Sequence, residues 1–75
     1  LLLFIVLTPT LSYSYQCTML MSNIDSAIMK IDSNKYSSLI EAAKMLKNEG
    51  EKAHDSGDHL LSEEILNAAL RLLDV

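Results

Sequence analysis

The stretch GEKAHDSGDH, residues 50–59, decides the fold, because it holds both glycines and both histidines of the 75-residue chain. Gly57 can take the left-handed backbone conformation that ends a helix, and Asp58 directly after it is a good N-cap. One helix should therefore stop and the next begin within a few residues, making Asp55 to Gly57 the corner of a helical hairpin.

Upstream of that corner, Leu39, Ala43, Leu46, Gly50 and Ala53 recur at helical spacing and define an inner stripe. Its later members are small enough to let a neighbouring backbone come close. Ser38-Leu39-Ile40-Glu41 has the S-x-x-E form of a capping box, in which serine and glutamate each satisfy an unpaired backbone N–H, so the helix is expected over residues 38–54. Downstream, Leu60, Leu61, Ile65, Leu66, Ala68, Ala69, Leu70, Leu72 and Leu73 form a broad apolar face over residues 58–73. Of the stripe, Ala43, Leu46, Gly50 and Ala53 should pack against Leu61, Ile65, Leu66, Ala69 and Leu73. Further out, Leu20, Ile24, Ala27, Ile28 and Ile31 share one face of a helix from Thr18 to Ile31, which Asp32-Ser33-Asn34-Lys35 stops by competing for backbone hydrogen bonds. No segment alternates like a strand, and Pro9 is the only proline. The expected fold is all-α: a small three-helix bundle, made of the hairpin and one packed N-terminal helix.

The N-terminus carries a different signal. Leu1 to Leu7 reads LLLFIVL, followed by Pro9 and by the small residues Ser12 and Ser14. That order is the apolar region and cleavage region of a secretory signal peptide, with the cut expected after Ser14 and the true start truncated. A membrane-spanning helix needs about 20 apolar residues, more than this run supplies. Gln16 before Cys17 argues against lipidation of the cysteine. Residues 1–14 are thus the expected leader and residues 15–75 the expected domain, exported and free of the membrane once cleaved.

The formal charge of −4 is carried by residues after Gln16, and the charges are mixed along the chain. Without a basic patch, nucleic acid is excluded as the expected partner. A domain of this size has a thin core and gains from a metal or a partner chain. A single cysteine cannot form an internal disulfide, which leaves Cys17 as an intermolecular bridge, a ligand, or a free thiol without a role.

From Ala43 to Leu73 the chain resembles one tetratricopeptide-type helical hairpin, with Gly50 at the small position of the first helix, Gly57 near the turn, Ser62 at a usual small site, Leu66 at the bulky site and Ala69 after it. It departs at the aromatic positions, which are Ala53 and Leu66 here, and it has no tandem copy. The resemblance implies a single hairpin covered by the N-terminal helix, with a groove suited to a peptide or partner helix. The pattern of Glu49, Gly50, His54, Gly57 and His59 is similar to that of small periplasmic helical proteins of bacteria with no assigned activity, which implies a periplasmic location if the source is bacterial.

Two chemistries are open. Cys17, Met19 and Met21 form C-x-M-x-M, and an extended segment would put all three sulfurs on one side. Soft thiolate and thioether donors favour copper(I), and imidazoles suit copper or zinc. In an up-down-up bundle these sulfurs share an end with His54 and His59, so the five residues form a candidate metal set. Each also has a structural account: a helix C-terminus favours a histidine at position 54, His59 suits a surface, and methionines fill cores. Glu51, Asp55 and Asp58 lie near the histidines, but nothing supplies a nucleophile held beside a base, so no catalytic residue is assigned and an enzyme is not expected. The expected function is a non-enzymatic interaction or packing module for a protein partner or a second copy. The alternative is a soft-metal carrier, with copper as its cofactor.

Overall fold

A computed structural model describes residues 8–75, with side chains from Gln16 onward. The apolar run Leu1–Leu7 lies outside the described residues. The chain folds as three helices, α1 (Thr8–Lys30), α2 (Ser37–Asp55) and α3 (His59–Leu72), with no strand among the described residues. It is a small all-α three-helix bundle, as the periodicity requires. None of these helices is long and apolar enough to cross a membrane.

The first helix begins well before the expected Thr18. Pro9 falls in its first turn, where the missing N–H has no intrahelical acceptor to lose and the fixed φ already suits a helix. The peptide bond between Ser14 and Tyr15, the expected cleavage point, therefore lies within α1. Beyond Lys30 the chain turns around Asp32, whose carboxylate accepts the N–H groups of Asn34 at 2.9 Å and Lys35 at 3.3 Å. Its carbonyl accepts the Tyr36 N–H at 2.9 Å.

That turn delivers the chain into α2 earlier than the capping box would have. Tyr36 is the N-cap, without a side-chain cap, and its carbonyl accepts the Ile40 N–H at 3.0 Å. Ser38 is already inside the first turn, so the expected Ser38–Glu41 box does not cap the helix. The other end follows the sequence closely. Gly57 has φ +89°, its N–H bonds to the His54 carbonyl at 3.0 Å, and the Asp58 N–H bonds to the Ala53 carbonyl at 2.9 Å. This pair of reversed bonds is a Schellman-type stop. Asp58 then caps α3 by accepting the Leu61 N–H at 3.2 Å.

Nothing lies within 4 Å of a Cβ placed on Gly57, so substitution there should strain only the backbone. Gly57→Ala is expected to lower stability by about 1–2 kcal/mol, the cost of holding an L side chain in the left-handed region. Urea denaturation measures it directly, and an unchanged midpoint would mean that the turn does not need its glycine.

The core joins Cys17 and Ile24 of α1, Ile40 and Ala43 of α2, and Leu66, Ala69 and Leu73 at the end of the chain. Helix α3 packs against both other helices, while α1 and α2 touch each other less. The closest approach is at Gly50. An added Cβ there would stand 2.5 Å from Cδ2 of Leu66, and the Ser62 hydroxyl donates to the Gly50 carbonyl at 2.8 Å. Small residues on α2 thus seat the fully buried Leu66 and Ser62 of α3. An exposed ion pair, Lys47 with Asp25 at 2.8 Å, links α2 to α1.

Three core assignments change. Leu61, expected to face α2, is 48% exposed, and Leu60 is also exposed. The buried stripe of α3 is narrower than its apolar face: Ser62, Leu66 and Ala69 point inward, and Leu60 and Leu61 fall outside that line. On α2, Ile40 is buried where Leu39 and Leu46 are only partly so. Cys17 becomes a core residue of α1, which a helix starting at Thr18 could not have contained.

Candidate metal centre

One end of the bundle brings together side chains from all three helices. His54 occupies the last turn of α2 and His59 opens α3, so the tight corner between them brings the two imidazoles together edge to face. Their Nδ1 atoms are 3.2 Å apart, with ring centroids 4.9 Å apart and planes inclined at 62°. Cys17 reaches the same place because α1 packs across α3. Its thiol is fully buried and donates to the His59 carbonyl at 3.6 Å. One donor atom each from Cys17, His54 and His59 lie within 4.8 Å of one another, and both imidazoles are half-buried.

The imidazole pair is informative about what can lie between its nitrogens. In neutral imidazoles one Nδ1 must carry a proton for the two to hydrogen-bond. A shared ion offers another solution. Two nitrogens each about 2.0–2.1 Å from a tetrahedral ion are separated by roughly 3.3 Å, close to the observed 3.2 Å. The thiol would contribute after losing its proton, since the thiolate is the metal-binding form. Among the described residues no carboxylate joins the group. Asp58 is engaged as the cap of α3, and Glu51 and Asp55 are exposed.

The methionines do not form the expected row of sulfurs. Residues 17–21 are helical, and at about 3.6 residues per turn Met19 falls on the side of α1 opposite Cys17, where it is 47% exposed. Met21 returns to the Cys17 face one turn on and packs against the core that contains Cys17. The extended spacing assumed for C-x-M-x-M is thereby corrected: Cys17 and Met21 share a face, and Met19 does not. The backbone carbonyl of His59, which anchors the thiol, was not anticipated, since no side-chain pattern encodes it. The burial of Cys17 does have a sequence signal, because Cys17, Met21, Ile24, Ile28 and Ile31 continue one helical stripe.

No family model, curated protein or solved structure matches the chain.

Proposed function

We propose that this is a small exported protein that holds a soft metal ion, copper(I) foremost, between the thiolate of Cys17 and the Nδ1 atoms of His54 and His59. The observation that carries the proposal is the pair of Nδ1 atoms 3.2 Å apart with a buried thiol in the same group. One sulfur and two imidazoles make a donor set that favours copper or zinc over magnesium or calcium, which take oxygen ligands. Each donor belongs to a different helix, so a bound ion would tie the bundle together at one end. Such a protein acts by binding, without turnover. The leader-like residues 1–14 support its export.

Copper(I) added to the reduced protein without oxygen should raise the melting temperature. Binding to the native state alone stabilises it by about 2.7 kcal/mol when free metal is 100 times the dissociation constant. The double variant His54→Ala, His59→Ala should lose the increment and keep its helicity, because neither imidazole belongs to the hydrophobic core. Melting curves unmoved by copper(I) and by zinc would end the proposal.

The interaction-module reading retains one supporting observation. A groove of about 310 Å³ runs between α2 and α3, with Ala53, the exposed Leu61 and Ile65 along it and Glu49, Lys52, Ser56 and Asp58 completing its lining. It is suited to a short partner segment that combines apolar and polar side chains.

A further inference from the structure

We infer that the site is a redox-competent copper centre, able to hold copper(I) and copper(II) in turn, with the thioether of Met21 as a weak fourth donor; this rests on the metal-binding proposal above. Two imidazoles and one thiolate around copper, with a long axial thioether, are the donors that electron-transfer copper sites use. Sulfur suits the reduced ion and imidazole accepts the oxidised one, so neither state is expelled.

Four observations lead here. The facing nitrogens are Nδ1 in both rings, 3.2 Å apart, so one nitrogen of each ring is already placed for a shared ion. No carboxylate among the described residues joins the group, so no anionic oxygen donor competes with the sulfur and nitrogens. Met21 stands one turn beyond Cys17 on the same face and packs against the same core. A helical side chain covers the turn N-terminal to its own Cα, and methionine has three rotatable bonds, so its sulfur can reach back toward Cys17.

The fourth observation concerns survival of the oxidised state. Copper(II) ordinarily destroys a thiolate site when two thiolates give up one electron each to two copper(II) ions and join as a disulfide. Cys17 is the only cysteine of the chain and is fully buried, so two such sulfurs cannot meet without unfolding. Loading releases the Cys17 thiol proton to solvent. An external one-electron donor then reduces copper(II) to copper(I), an external one-electron acceptor takes that electron to restore copper(II), the thiolate stays a thiolate throughout, and no bond to carbon forms or breaks.

Copper(II) titrated into the protein without oxygen should produce an intense visible thiolate-to-copper band that saturates at one ion per chain. Ascorbate should bleach the band and ferricyanide restore it. Cys17→Ser and, as a second variant that leaves the core intact, His54→Ala should each abolish it, with circular dichroism confirming the helices. The volume-conserving Met21→Leu should keep the band but shift its energy and the reduction potential. If copper(II) gives no intense band and consumes the thiol, while copper(I) still raises melting, the redox inference falls and the binding proposal stands. If neither ion binds, both fall. A Met21→Leu protein with unchanged band and potential would remove Met21 from the site.

Discussion

Gly50→Leu is expected to abolish the cooperative melting transition of this domain. Even a single Cβ at position 50 would stand 2.5 Å from Cδ2 and 2.7 Å from Cγ of Leu66. Leu66 is fully buried, so it cannot swing aside into solvent. Overpacking a close contact costs about 1–3 kcal/mol and occasionally more, and leucine adds three further carbons beyond that Cβ. A core in a domain this small supplies only about 3–5 kcal/mol in total. The Ser62 hydrogen bond to the Gly50 carbonyl would be lost as the helices separate. Replacing Leu66 by alanine in the same chain should recover part of the stability, since it removes the atoms that clash. Circular dichroism melts of the single and double variants decide the matter. A Gly50→Leu protein that melts like its parent would overturn the close approach of α2 and α3.

What the sequence made legible depended on how local the chemistry is. The α2–α3 corner was readable because Gly57 and Asp58 act through their own backbone and the turn beside it. The start of α2 was not. Ser38 and Glu41 match the capping-box pattern, yet Asp32, several residues upstream, sets where the helix begins by binding the N–H groups of Asn34 and Lys35. Leu60 and Leu61 show the opposite limit. Both are apolar and on a helix, but α3 packs through a stripe of small and medium residues, and the apolar face is wider than the two neighbouring helices can cover.

The candidate site divides in the same way. Two histidines flanking a tight corner can be placed at a common end from spacing, because the corner is short, but the 3.2 Å approach of their Nδ1 atoms depends on side-chain rotation that spacing does not encode. Cys17 could be placed at that end by topology, and the stripe through Met21, Ile24, Ile28 and Ile31 carries the signal of its burial, but the leader-like residues before it set the expected start of the helix at Thr18, one residue too late to include it. Met19 was misplaced by a single assumption about period. A repeat of two puts it with Cys17, whereas the 3.6-residue turn puts it on the far side.

Ile24→Ala tests whether the fold and the site are one system. Ile24 and Cys17 are the two fully buried residues of α1 among those described, and they lie two turns apart on the same face. Truncating Ile24 removes the larger of these anchors, and an isoleucine-to-alanine change in a core costs about 2–5 kcal/mol. The loss should fall on the docking of α1, which is what holds the Cys17 thiol against the His59 carbonyl. Copper(I) should then bind the variant more weakly, though no donor atom has been changed, because part of the binding energy goes into seating α1. By the same linkage the ion should stabilise the variant, restoring about 2.7 kcal/mol once free metal reaches 100 times the variant's own dissociation constant. Melting curves across a copper(I) series, compared with those of the parent, give both quantities. A variant that melts lower but takes up copper(I) with the parent's affinity would show that α1 does not carry a ligand, and Cys17 would leave the site.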